Sequence, residues 1–287
     1  MKLSVIIPCF NEEQFIGVQL EALVEQEWPE GWELIVSDNG STDGTVDVVQ
    51  RYMRKYSHIR LVNGSQRRGP AHARNAGART AAGEALAFLD ADDVAAPGWV
   101  TAIGRALQQY DFVASRFDNE RLNPQWVRKG RIPPQRDGLS WLDVPPFLSH
   151  AGGCGLGIKR VVHERVGGFN ESWPVCEDAD YCLRVQLAGT PLHFATDALV
   201  HIRYHESSRE IYRQARNWGR ETVRLYKVYR TDNSPSFSVK EGIWKWKALI
   251  SRLPAIHDKA SLAKAIWELG WRFGRLQGSL KYWVVCL

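Results

Sequence analysis

Between residues 3 and 109, short apolar runs alternate with segments of helical period, and this alternation restricts the possible folds more than any other feature. The runs at 3–8, 32–37, 59–62 and 85–90 read as buried strands. Between them, residues 12–26 carry Phe15, Ile16, Leu20, Leu23 and Val24 at helical spacing, and 45–56, 69–82 and 98–109 also read as helices. Strand and helix in turn predict an α/β fold built on a doubly wound, mostly parallel sheet. The helix over 69–82 is rich in Ala and Gly, which suits close packing on that sheet.

The fourth strand leads into Asp90, Ala91, Asp92 and Asp93. Open α/β sheets place ligands at the carboxyl ends of their strands. Three carboxylates within four residues repel one another and stay ionised together only around a cation. Oxygen-only ligands suit Mg²⁺ or Mn²⁺, ions that commonly bridge to a substrate phosphate.

Past residue 116 the pattern loosens. Residues 116–146, rich in Arg, Pro and Trp, read as a long excursion over the sheet edge, and 152–157 as a glycine-dense strand or loop. A short helix is expected over 159–166, ended by Gly167 and Gly168. Glu177, Asp178 and Asp180 lead into a helix over 181–187, with Asp178 or Asp180 available as its cap, and 192–195 and 199–202 read as two further strands. From residue 207 onward the chain reads as three helices, 207–230, 239–253 and 261–280, with a linker over 231–236. The expected organisation is therefore a domain over 1–205 and a helical region over 206–287.

Residues 201–287 hold 17 Lys and Arg against 7 Asp and Glu, a net of +10 that leaves the first 200 residues at −5. Six of the twelve tryptophans, Trp218, Trp244, Trp246, Trp267, Trp271 and Trp283, lie in the same stretch. Arg209, Arg213, Arg216, Arg220 and Arg224 share one helical face. Two readings stand: helices in a membrane interface beside anionic lipid, or a helical cap with its arginine face in water. No DNA- or RNA-binding motif accompanies the charge, so nucleic acid is not expected as a partner. The five cysteines are scattered and odd in number, which points to a reducing compartment rather than a disulfide framework or a zinc site. The opening apolar run is too short for a secretory signal, and no run approaches the ~18 residues of a transmembrane helix.

Four segments now stand in order: Val5–Glu13 opening the chain, residues 35–45 around Asp38, 69–77 around Arg74, and the pair Glu177-Asp178 beyond the acidic run. Together they resemble the family-2 glycosyltransferases of the GT-A fold, bacterial and inverting, over roughly residues 3–205. The resemblance implies transfer of a sugar from a nucleotide-sugar, taken as a UDP-sugar, to an acceptor hydroxyl with inversion at the anomeric carbon. It implies a nucleotide site of Pro8, Phe10, Glu12, Asp38, Arg74, Asn75 and Asp90, with Ser41 or Asp43 capping the following helix. Asp92 matches the main metal ligand, and His201 a histidine that in some relatives touches the metal or diphosphate, although His205 is equally available. Asp178 matches the general base, with Glu177 beside it, and Gly153 and Cys154 would form the acceptor-side wall. A lipid-linked or cell-surface glycan acceptor and a place on the cytoplasmic face of the cell membrane are expected from the basic, Trp-rich region.

Three rival readings are disfavoured. A sugar-phosphate nucleotidyltransferase calls for a Gly-rich loop and Lys after the first strand, where this chain has Pro8-Cys9-Phe10-Asn11. A non-catalytic nucleotide- or glycan-binding relative would be expected to lack Asp92 or Asp178, and both are present. A dinucleotide-binding dehydrogenase needs Gly-x-Gly-x-x-Gly after a strand, and residues 152–157 miss that spacing.

Overall fold

The structure, a computed structural model, describes residues 1–131, 134–235 and 237–286. Ser236 of the expected linker, and Ile132 and Pro133 of the expected excursion, lie outside the described residues. The chain divides into two compact units. The first comprises Met1–Leu122, Pro133–Ser140 and Ser149–Arg203; the second comprises Asn123–Ile132, Trp141–Leu148 and Tyr204–Leu287. The helical unit thus also takes two pieces from the middle of the chain, so no single cut near residue 205 separates the two.

The first unit begins as the alternation predicts: β1 (Leu3–Cys9), α1 (Ile16–Val24), β2 (Trp32–Asp38), α2 (Thr45–Met53), β3 (Ile59–Asn63), α3 (Pro70–Thr80) and β4 (Ala85–Phe88). β5 (Val94–Ala95), α4 (Trp99–Gln109) and β6 (Phe112–Asp118) follow. After α5 (Gln125–Gly130) of the second unit come the short strands β7 (Ser140–Trp141) and β8 (Ser149–His150), which stay outside the large sheet. β9 (Leu156–Lys159), α6 (Arg160–Arg165), α7 (Glu177–Leu187) and β10 (His193–His201) complete the unit. The sheet order is β3-β2-β1-β4-β9-β6-β10-β5. Its first four strands run parallel, β9 lies antiparallel between β4 and β6, and β10 pairs parallel with β6 and antiparallel with β5.

Burial explains this order. β1 is buried at every position except Pro8, as a central parallel strand must be. The small residues of α3 let it lie close: a Cβ on Gly77 would sit 2.5 Å from Ile6 Cγ2. Gly157 gives β9 its place in the sheet, since a side chain there would collide with Val113 at 2.9 Å. The two strands expected over 192–202 are one, β10, whose pairing with β6 shifts register between Ala195 and Leu199. α7 starts at Glu177, four residues earlier than expected. Its first turn holds Glu177, Asp178 and Asp180, where carboxylates meet the positive end of the helix dipole. Neither aspartate caps it: the N-cap is Cys176, with φ +62°, and Asp180 instead pairs with Arg184 at 2.8 Å.

The second unit is helical: α8 (Ser208–Tyr229), α9 (Val239–Ser251), a 3₁₀ turn (Leu253–Ala255) and α10 (Lys259–Tyr282). Ser207 caps α8 by accepting from Glu210 N at 3.2 Å, and Asp258 and Ser261 form a capping box at the start of α10. Gly270, Gly274 and Gly278 recur at four-residue spacing on α10 and face α8. A Cβ on Gly278 would stand 2.7 Å from Arg220 O, and one on Gly274 would overlap Arg216 O. Glu221, buried on α8, accepts from Arg220 at 2.8 Å and from Tyr282 at 3.0 Å, with Arg224 3.8 Å away. Two of the five face-sharing arginines are therefore bound to a buried carboxylate within the unit. Trp267 packs edge-on against Trp218 and beneath Arg131, and Trp246 packs against Phe273. Among the described residues no helix is long and apolar enough to cross a membrane.

Gly274→Ala separates packing from propensity. Helix propensity alone favours Ala by ~1 kcal/mol. Forcing a methyl onto a backbone carbonyl costs about 1–3 kcal/mol. The variant is expected to unfold at lower urea concentration than the parent, and an unchanged or higher midpoint would show that the α8–α10 contact is looser than described.

Candidate active site

The parallel register brings the chain's first, second and fourth strands to one edge. Cys9 lies opposite Asp38, and Leu89 N donates to Ile6 O at 3.1 Å, so residues 8–12, Asp38 and 90–93 leave the same end of the sheet. Asp38 accepts from the amides of Gly40 and Ser41 at 3.1 and 3.2 Å, which folds the turn back on its own strand end. Gly44 is the N-cap of α2, and of the two expected caps Asp43 serves the helix start, its Oδ1 accepting from Thr45 N at 3.1 Å. Asn39 bonds Gly64 O, Arg67 O and Gly69 N, drawing residues 64–69 toward Asp38. Arg68 from that loop lies over the exposed ring of Phe10 at 4.0 Å. Pro8, half-buried, completes this corner opposite Ser37.

A buried guanidinium organises the other corner. Arg74 of α3, its side chain 4% exposed, reaches Asp90 Oδ1 through Nη2 and Glu177 Oε1 through Nη1, both at 2.7 Å. The acidic run after β4 and the acidic pair opening α7 are thus tied to one cation. Asp178 accepts from Gly153 N at 3.1 Å. Gly153 has no room for a side chain, because a Cβ would meet Arg74 Nη2 at 2.6 Å. Ligand atoms of Asp90, Asp93 and Cys154 all lie within 4.8 Å of one another. Arg74, Asp90, Asp93, Gly153, Cys154, Glu177 and Asp178 therefore form one constellation, drawn from four segments of the sequence.

The electrostatics reflect crowded carboxylates. Burial, then Asp92 and Asp90, push Glu12 up to about 7, and burial with Asp90 pushes Asp92 up to about 6. Burial and Asp178 raise Glu177 to about 7 against the opposing pull of Arg74. Arg203, which follows β10, answers this charge: its backbone N donates to Asp93 at 2.8 Å and its Nε to Asp92 O at 3.0 Å. A hard cation fits such a set, since it relieves repulsion that Arg203 and Arg74 leave uncompensated. Cys154 does not offer a thiolate, because burial and the neighbouring aspartates raise its thiol well above the ordinary value. The chemistry of the donor set is therefore carboxylate oxygen.

Asn75 takes another place, whereas His201 stays beside the acidic run. The amide of Asn75 is engaged internally, donating to Phe169 O at 2.8 Å and Glu171 Oε1 at 3.0 Å and accepting from Phe169 N at 2.9 Å. It holds the segment that precedes α7. His201 presents Nδ1 to Asp118 Oδ2 at 2.7 Å, and its backbone pairs with Val94, one residue beyond the acidic run. The Asp118 carboxylate thus fixes the orientation of the imidazole through Nδ1. His205 belongs to the other unit. Sequence reasoning missed Arg203, whose one signal is its place directly after a strand, and it missed Glu12 as a fourth carboxylate in the field of Asp90 and Asp92.

The profile of Glycosyl transferase family 2 matches residues 4–167, which span β1 through α6. The chain belongs to this family. Glycosyltransferase AglE of Haloferax volcanii is 35% identical over 201 residues, 69% of this chain and 65% of that one. WfaP of Escherichia coli, a UDP-Glc:α-D-GlcNAc-diphosphoundecaprenol β-1,3-glucosyltransferase, is 26% identical over 209 residues, 70% of this chain and 76% of its own. The chain spans less than two thirds of most of the curated relatives it matches, including AglE. Among solved structures, the mannosyltransferase PcManGT from Pyrobaculum calidifontis, in complex with GDP-Man and Mn²⁺, superposes with a TM-score of 0.66. It is 20% identical, with 96% of this chain and 86% of that chain covered, and the likeness establishes the GT-A fold.

Arg74→Met tests the buried bridge. Removing one partner of a buried ion pair costs about 3–5 kcal/mol. Glu177, already raised to about 7, then loses the charge that most opposes the shift. A carboxyl raised in the folded state withdraws stability as pH climbs from its unfolded value toward its folded one. Urea unfolding is therefore expected to show a deficit larger at pH 8 than at pH 5. Equal deficits would mean that Glu177 does not carry the charge.

Proposed function

We propose that the constellation around Arg74 transfers a sugar from a UDP-sugar to an acceptor hydroxyl with inversion. The observation that carries this reading is the single buried guanidinium holding Asp90 on one side and Glu177 on the other. It sets the acidic run that would face the donor diphosphate beside the acidic pair that would face the acceptor. Pro8, Phe10 and Asp38 would receive the nucleoside, with Arg68 over Phe10 as a wall or a gate. Asp92 would hold Mg²⁺ or Mn²⁺, helped by Asp90 on the nucleotide side and by Nε2 of His201. When bound, the ion offsets charge that gathers on the departing diphosphate.

Asp178 would act as general base. Its half-buried carboxylate is fixed by Gly153 N and stands next to Glu177. An acceptor hydroxyl becomes acidic only as the new bond forms, so a well-placed carboxylate suffices. Gly153 and Cys154 would line the acceptor side, where a glycine lets backbone approach a ligand closely. Arg74 would position Glu177 and Asp90, since both ends of its guanidinium are already committed. The acceptor would be a lipid-linked or cell-surface glycan precursor met at the cytoplasmic face of the membrane. WfaP supports this part, because its name states a UDP-sugar donor and a diphosphoundecaprenol-linked acceptor.

Release of UDP from a panel of UDP-sugars, with and without EDTA, tests the donor and metal together. Asp92→Asn and EDTA are each expected to abolish release, and full activity in excess chelator would refute the metal assignment. Because burial and Asp90 push Asp92 up to about 6 and it must be ionised to ligate, Mn²⁺-supported nucleotide binding is expected to weaken as pH falls from 7.5 to 5.5. Isothermal titration with UDP reads that change.

Asp178→Asn is expected to bind UDP as the parent does while transfer falls by about 10²–10⁴-fold, the usual scale for a lost acid–base group. Single-turnover transfer from radiolabelled donor measures it. Normal transfer by this variant would remove Asp178 from catalysis.

A further inference from the structure

The α10 helix presents two opposite faces of unusual composition. One is the glycine stripe packed on α8. On the other, Leu262, Leu269, Phe273, Leu276 and Leu280 are 36% to 71% exposed. At 100° per residue these five side chains fall within about 60° of arc, centred roughly 130° from the glycines. Soluble surfaces scatter exposed leucines singly, whereas an aligned row marks a surface meant to be covered. α9 extends the row. It buries only Gly242 and Leu249, exposes Ile243 and Ile250, and meets α10 where Trp246 packs against Phe273. Trp244 and Trp283, at 69% and 89% exposure, stand on α9 and at the end of α10.

Charge decides what covers the row. Residues 239–282 hold nine Lys and Arg against three Asp and Glu, and the excess stays positive with Arg275 buried against Asp143 and Arg252 paired with Glu268. A second copy docked through the same face would bring two such cationic borders together, because a two-fold interface sets each patch against itself. An anionic surface has the opposite property. Helices with an apolar row, basic flanks and exposed tryptophans suit the headgroup level of a bilayer, with leucines entering the acyl boundary and ammonium groups meeting lipid phosphates.

We infer that the exposed apolar row of α10, extended by α9, is a docking surface for an anionic lipid bilayer. This replaces the arginine face of α8 as the lipid contact: Arg220 and Arg224 serve Glu221, and Trp246 and Trp267 are packed within the unit. The inference deepens the membrane part of the reading above and rests on it. Its test uses vesicles without donor or acceptor, so a failure here leaves the nucleotide, metal and base results standing.

The full chain is sedimented with phosphatidylglycerol vesicles and with phosphatidylcholine vesicles at low salt. Binding to the first and not the second is expected. Leu276→Ser with Leu280→Ser keeps the net charge and is expected to lower the bound fraction at least tenfold. Val161→Ser, an exposed apolar site of the other unit, is expected to bind as the parent does. Thermal melting of each variant checks folding. Trp244→Ser with Trp283→Ser, expected to lose at least threefold, gives a second route if the leucine pair fails to fold. No binding by the parent, equal binding to both lipids, or undiminished binding by both double variants would overturn the inference. So would a dimer, seen by sedimentation velocity without vesicles and lost in the leucine pair, since a second copy would then be the occupant.

Discussion

The contact on which the site depends is the buried guanidinium of Arg74. Two carboxylates at 2.7 Å make this cation tolerable in the interior, and the cation in turn lets Glu177 and Asp90 approach each other's surroundings. Both acidic segments have further anchors, Asp93 on Arg203 N and Asp178 on Gly153 N, but Arg74 alone of the described contacts joins the two. Asp90 shares its field with Asp92 and Asp93, and Glu177 sits directly beside Asp178. The small residues around the pair follow from it. Gly153 is glycine because the guanidinium occupies the space where a Cβ would go. Asn75, next to Arg74 on the same helix, anchors the Phe169 segment that feeds α7, so one turn of α3 fixes both the cation and the approach of its partner.

This arrangement separates two kinds of charge. Arg74 and Arg203 are bound into the protein by short contacts, whereas Glu12 and Asp92 remain raised above the ordinary carboxylate range. A surplus of negative charge at the strand ends is costly in the absence of a ligand, which is why it is informative. Structural ion pairs balance; this cluster does not. A bound cation and the diphosphate of a nucleotide-sugar, as the proposed function has them, would relieve that imbalance.

The helical unit follows a different logic. Its closest contact is made by the absence of side chains, the glycines of α10 against the backbone of α8. One of its buried charges, Glu221, is matched by arginines that a helical wheel would assign to solvent. The tryptophans divide likewise: Trp218 and Trp267 pack against each other, whereas Trp244 and Trp283 stand out.

Periodicity made β1 through α4 legible, apart from the two-residue β5, because a strand buried in a parallel sheet and a helix lying on it each leave a local signature. The motifs at Asp38, Arg74, Asp90–Asp92 and Glu177-Asp178 were legible for a similar reason, since each sits in a contiguous segment whose residue types suit its chemistry. What the sequence could not supply was partnership across long separations. Arg74 lies 103 positions from Glu177, so its pairing with two carboxylates rather than with solvent was decided only by folding. The same holds for β9, a glycine-dense segment made a strand by the gap between β4 and β6. It holds again for α10, whose glycines and leucines share one helical pattern. Hydrophobic pattern by itself determined that α10 is a helix with two faces; only the packing of α8 against the glycines decided which face is buried and which is left to meet a partner.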